Sequence, residues 1–154
     1  MPKSNRTRGR VWLALAVILV LGLNGCSSPP EVAKVIQVID GDTITVAGGY
    51  RVRYIGIDAP EVYPEKEAYG AEAWQANRLL VEGKSVRLER DVSEADRYGR
   101  LLRYVYVDDI MVNAELVRQG LAEVKAYPPD IKYQDRLEGL ESVAKAVGRG
   151  IWTK

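Results

Sequence analysis

Three short runs of alternating, β-branched residues, separated by turn chemistry, most constrain what this chain can fold into. Val32–Ile39 is apolar and β-branched, Thr43–Val46 alternates, and Tyr50–Ile57 alternates again after Gly48-Gly49. Period-two alternation sends successive side chains to opposite faces, and paired glycines supply the backbone that a tight hairpin needs. A three-stranded meander is the expectation. Pro60 and Pro64 then break regularity, and Ala68–Glu82 carries alanines, Trp74, Leu79 and Leu80 at roughly helical spacing up to Gly83, which predicts a helix. Ser85–Arg90 and Leu101–Val107 alternate and predict two more strands, and Asp108-Asp109 predicts a turn before Ile110 and Met111. Asn113 is placed as a helix N-cap, with Val112 and Val117 as its hydrophobic staple and Gly120 as the stop. After Pro128-Pro129, Ile131–Val147 sets Leu137, Leu140, Val143, Ala144 and Val147 on one face of a third helix, with Trp152 packing at its end. Five short strands with helices between and after them make an α+β chain, a small closed or partly closed barrel with helical caps.

The 154 residues suffice for one such domain and not for two. The start of the chain stands apart from it. Lys3, Arg6, Arg8 and Arg10 form a basic head, Val11–Leu23 an apolar stretch, and Leu23-Asn24-Gly25-Cys26 closes it. This resembles a bacterial lipoprotein signal peptide. The resemblance implies cleavage before Cys26 and lipid on its thiol and new amino group. An uncleaved anchor is the rival reading, but thirteen apolar residues fall short of the span of about 20 that a membrane helix needs. The chain then divides into a signal peptide over 1–25, a lipidated tether over 26–31 and a folded domain over 32–154. Such a protein belongs to the bacterial cell envelope, at the outer membrane and periplasm or on the external face of the cell membrane. No long apolar surface stripe stands outside the expected core, so a monomer without a protein partner is expected.

The chain has no histidine and one cysteine. A His-metal centre, a Ser-His-Asp triad and an imidazole base are therefore excluded. With Cys26 lipidated, disulfides, thiolate catalysis and cysteine zinc sites go too. Acid–base chemistry is left to carboxylates, Lys, Tyr or metal-bound water. Removing residues 1–25 takes four of the 22 basic residues and none of the 21 acidic ones, leaving 18 against 21 and a formal charge of −3. A chain of that charge does not coat nucleic acid electrostatically, so any phosphate contact is local.

Its acids and arginines are clustered. Asp40-Gly41-Asp42-Thr43 precedes Arg53-Tyr54-Ile55-Gly56-Ile57-Asp58-Ala59-Pro60-Glu61, and Asp96-Arg97-Tyr98-Gly99-Arg100 follows. Carboxylates suited to a hard cation thus sit near guanidinium groups suited to phosphate, the parts of a metal-assisted phosphodiesterase. Each part has a plainer reading: the aspartates as turn caps, the arginines as surface ion pairs worth about 0–1 kcal/mol, Glu61 as an exposed loop acid.

Order and spacing decide between these readings. The two acidic motifs, Tyr69-Gly70-Ala71-Glu72-Ala73, Asp96–Arg100 and Asn113-Ala114-Glu115-Leu116-Val117-Arg118-Gln119-Gly120 together resemble the staphylococcal nuclease (thermonuclease) family over residues 33–153. The resemblance implies a five-stranded OB-fold barrel with three helices. It implies a calcium-dependent nuclease acting on DNA and RNA with little sequence preference and leaving 3′-phosphates. By it, Asp42 and Asp58 bind Ca2+ through their carboxylates and Ala59 through its carbonyl, Arg53 and Arg100 hold the phosphate, and Glu61 is the general base or orients the attacking water. Asp40 is either a group behind the metal ligands or a turn residue. Tyr98 and Tyr127, with Tyr133, either stack on substrate or sit half-buried at the rim. Arg51, Arg97 and Arg103 lack matching family positions and read as ordinary arginines. The run Lys125–Tyr133 departs most from the family pattern. A non-catalytic OB-fold binding module and a calcium-stabilised envelope lipoprotein are the alternatives.

Overall fold

The computed structural model describes residues 28–153. The expected meander is present as β1 (Val32–Val38), β2 (Thr43–Val46) and β3 (Tyr50–Tyr54), paired antiparallel with Thr43 opposite Arg53 and Val46 opposite Tyr50. β1 slips register against β2 between Val35 and Gln37. A bulge of this kind bends a strand and increases its twist. β1 thereby pairs on its other edge with β5 (Ser85–Glu89), which pairs with β6 (Leu101–Val107). β6 then runs parallel to β3, Val52 opposite Leu101, and closes a five-stranded barrel in the order β3-β2-β1-β5-β6. Three helices pack around it: α1 (Gly70–Val81), α2 (Val112–Arg118) and α3 (Gln134–Ala146). This is the expected OB-fold architecture.

The inward faces of the strands supply Val35, Ile44, Val46, Val52, Val86 and Val105, all at most 1% exposed, and the helices add Ala73, Leu116 and Leu137. Burial of such side chains, at about 1.5–3 kcal/mol each, is the main force that holds helices to barrel.

Four local expectations are corrected. The third run does not continue to Ile57: the chain turns at Ile55-Gly56, and β4 (Ile57–Asp58) leaves the barrel to pair with β8 (Glu123–Val124). Asn113 is not an N-cap. α2 begins two residues earlier, behind Met111, with no side-chain cap, and Asn113 lies fully buried within it. Its amide accepts from Val105 N at 2.9 Å and donates to Ile55 O at 2.9 Å, so tertiary demand overrides capping preference. Val112 and Val117 are accordingly fully buried core residues rather than a staple around a cap. α3 starts three residues after Ile131, because residues 127–131 form a loop in which Ile131 N donates to Pro129 O. Asp108-Asp109 does turn the chain, into the two-residue β7 (Ile110–Met111) beside β6.

At the carboxyl end, Gly120 and Gly150 touch backbone to backbone. Both have positive φ, and a Cβ on Gly150 would stand 2.0 Å from Gly120 O. Ile151 N donates to Gly120 O at 2.8 Å, fastening the end of the chain to the end of α2. At the other terminus, Leu88 N donates to Glu31 O at 2.7 Å, and residues 28–31 run along a cavity of about 650 Å³ lined by Arg87, Arg90, Glu94 and Arg103. The signal peptide and Cys26 lie outside the described residues. Among the described residues no helix is long and apolar enough to cross a membrane.

Candidate active site

The β1–β2 turn carries Asp40 and Asp42. Asp42 N donates to Asp40 Oδ1 at 2.9 Å, so Asp40 serves the turn. Between them Gly41 lets α1 come close: a Cβ there would lie 2.5 Å from that of Ala59 and 2.9 Å from that of Ala73. Asn77 of α1 donates to Asp40 O and accepts from the buried Tyr54 hydroxyl, which pins the turn to helix and barrel.

Asp42 is 5% exposed. Its Oδ1 accepts from Thr43 Oγ1 at 3.1 Å and its Oδ2 from Ala59 N at 2.7 Å. Arg53 Nη1 lies 2.5 Å from Oδ2 but off its N–H axis, a charge contact rather than an aligned hydrogen bond. The other arm of Arg53 donates to Asp58 Oδ1 at 2.6 Å. One guanidinium therefore bridges the two aspartates. Asp58 Oδ2 accepts from Lys125 Nζ at 2.7 Å.

The charges do not balance evenly. Burial pushes the Asp42 carboxyl up to about 7 against the opposing pull of Arg53, and the neighbouring Asp40 adds to the rise. Glu61, exposed on the loop after β4, is also raised, by partial burial and by Asp40, with Arg53 opposing. At Asp42, burial thus outweighs the one guanidinium that faces it. Among the described residues no three acids converge into a cage. The two carboxylates bridged by Arg53, Asp42 and Asp58, are the hard oxygen donors that suit a hard cation.

Arg53, Asp58, Glu61 and Arg100 line one cleft of about 620 Å³, together with Tyr98 and Tyr127, and Asp42 stands behind Arg53. Arg100 is held by the 96–100 turn: Asp96 Oδ2 accepts from its Nε at 2.7 Å, while Oδ1 accepts from Tyr98 N and Arg100 N. Those bonds hold the Asp96 carboxyl below the usual range although burial raises it. Tyr98 is 68% exposed beneath Arg97 and Arg100, and Tyr127 is 50% exposed. Both rings are open to a ligand.

Tyr133 is placed elsewhere: its hydroxyl donates to Glu89 Oε1 and its ring edges against Tyr104. Arg103 is buried on Glu94, as an ordinary arginine. Arg97, read the same way, does line the cleft. Two residues escaped sequence reading, Asp130 in the cleft and Lys125 beside it. Asp130 accepts from Val92 N and Ser93 N and so ties the 127–131 loop to the strand exit. Lys125 meets Asp58 across 67 residues with no local motif to mark it.

An OB barrel that brings Arg53, Arg100, Asp58 and Glu61 to one open cleft, with Asp42 behind it, carries groups of the kind that handle phosphodiesters. Residues 51–154 match the family model described as staphylococcal nuclease homologue. The chain is 43% identical over 126 residues to a thermonuclease of Staphylococcus hyicus, covering 78% of this chain and 75% of that one. It is 40% identical over 164 aligned positions to a thermonuclease of Staphylococcus intermedius, covering 96% and 98%. It is 33% identical over 148 residues to an uncharacterized endonuclease of Haemophilus influenzae, covering 93% and 78%. The chain belongs to the staphylococcal nuclease family, whose members hydrolyse nucleic acids.

Proposed function

We propose that the protein is a calcium-dependent nuclease that cleaves DNA and RNA with little sequence preference and leaves 3′-phosphates. The observation that carries this reading is the meeting of Arg53, Asp58, Glu61 and Arg100 in one cleft with Asp42 bonded behind them. Asp42, Asp58 and the Ala59 carbonyl would hold calcium, which would supply positive charge against the scissile phosphate. Glu61 takes a proton from water, or orients it, as the oxygen attacks phosphorus; its raised affinity for protons suits that task. The bond from phosphorus to the 5′ oxygen breaks, and that oxygen takes a proton from solvent to leave as a 5′-hydroxyl, with the phosphate kept on the 3′ side. Arg100 donates to the non-bridging oxygens while Asp96 fixes its angle. Arg53 has both arms committed to aspartates, so its phosphate contact requires one of those pairs to loosen. Tyr98 and Tyr127 offer faces for bases.

The same reading makes the protein a monomer anchored in the bacterial envelope through lipidated Cys26, with residues 1–25 removed and 26–31 as tether. Palmitate labelling of the wild-type chain, lost in Cys26→Ser, checks the anchor. Nuclease activity of residues 27–154 on single- and double-stranded DNA, with calcium or a chelator, checks the chemistry. Calcium-dependent cleavage that collapses in Glu61→Gln and Arg100→Gln is expected. A folded domain that binds DNA yet never cuts it returns the protein to the class of OB binding modules.

A further inference from the structure

Asp58 has a cation on each oxygen, and the two differ in kind. Arg53 is 13% exposed in its side chain and is locked to Asp42 as well. Lys125 is 51% exposed and touches only one of the two aspartates. The lysine is nevertheless delivered to Asp58 by backbone structure. β8 pairs with β4, Asp58 opposite Glu123 and Ile57 opposite Val124, and the next amide, Lys125 N, donates to Gly56 O at 3.0 Å. From that fixed point the side chain reaches Asp58 Oδ2 at 2.7 Å, with the Tyr127 ring 5.8 Å from its nitrogen. An ammonium held on a carboxylate oxygen repels a metal ion brought to the same carboxylate, so binding of the cation drives the ammonium off. An exposed ammonium is released into water at little cost, whereas a buried guanidinium is not.

We propose that Lys125 is a tethered counter-ion for Asp58, a specificity-determining residue that any cation entering the cleft must displace. This rests on the assignment of Asp58 as a calcium ligand. The exchange selects by charge. A monovalent ion replaces one positive charge with one and gains nothing, while a divalent ion brings a second charge to Asp42 and Asp58, two carboxylates that otherwise share one guanidinium. Lys125 therefore lowers calcium affinity while holding sodium and potassium out.

The test is calorimetric titration of calcium into the full chain in detergent, at fixed ionic strength, for wild type, Lys125→Met and Lys125→Arg. The methionine variant is expected to bind calcium about two- to fivefold more tightly, the upper end being the roughly 1 kcal/mol of an exposed ion pair. The arginine variant keeps the charge and is expected to stay near the wild-type Kd. Melting without calcium shows that each variant is folded. Equal or weaker binding by Lys125→Met overturns the proposal and leaves the calcium reading standing. Absence of calcium binding in the wild type overturns both.

Discussion

Arg53 is the side chain on which the charges of the cleft meet, and its two neighbours make its loss different from that of Arg100. Removing Arg53 strands Asp42, 5% exposed, without its counter-charge, and breaking a buried pair in this way costs about 3–5 kcal/mol. Arg53→Gln is therefore expected to lower both the urea midpoint and the single-turnover rate. Arg100 answers only to the partly exposed Asp96, so Arg100→Gln is expected to leave the midpoint nearly unchanged while the rate falls by about 100- to 1,000-fold. Equal losses of stability in the two would contradict this division. At this scale the sequence was legible where function sits in short motifs: Arg53, Asp58, Glu61 and Arg100 all reach the cleft. Lys125 and Asp130 were not legible, because their partners lie 67 and 37 or 38 residues away and neither spacing has a local signature.

Elements are held to one another in this protein by single polar side chains placed where apolar packing leaves backbone groups bare. Asn113 serves Val105 N and Ile55 O inside the core, so Asn113→Ala orphans a buried donor and a buried acceptor. At about 1–3 kcal/mol for each such group, a loss of about 2–6 kcal/mol is expected in urea unfolding. Capping propensity pointed to the right residue for the wrong reason, since a buried amide in a helix and an exposed cap use the same side chain. Glu89 similarly ties β5 to the start of α3. Burial raises its carboxyl, but bonds from Lys132, Tyr133 and Arg87 outweigh this and hold it at about 2. A carboxyl depressed in the folded state adds stability above its unfolded value of about 4.5 and loses that contribution as pH falls toward 2. Glu89→Gln is accordingly expected to be less stable than wild type at pH 7 and nearly equal to it near pH 2, as read by thermal melts across that range.

For the molecule as a whole, closure of the barrel depends on the parallel pairing of β3 with β6, whose partners Val52 and Leu101 are far apart in the chain. Alternation located both strands, turn residues located the hairpins and the strand count suggested a closed or partly closed barrel, yet nothing local marks a parallel join, so the OB-fold itself followed from the family likeness. The same closure gathers the acids of the β1–β2 turn and of β4 at one place, where burial of the Asp42 carboxyl outweighs the one guanidinium that faces it. A cation that binds only the folded chain stabilises it by mass action, about 2.7 kcal/mol at a hundredfold excess over Kd. Calcium is therefore expected to raise the melting temperature of Glu61→Gln, which cannot turn over, and EDTA to reverse the rise. An unchanged melt would argue against a calcium site.

The chain enters the barrel at Val32, and the acidic turn lies at the opposite end of the same strand, roughly 25 Å away by the rise of extended backbone. The cavity along residues 28–31 shares no residue with the cleft. What is joined ahead of Ser28 is thus separated from the chemistry by the length of β1. A change ahead of Ser28 is therefore expected to leave the cleft intact, so that the barrel keeps its chemistry whatever is joined to it on that side.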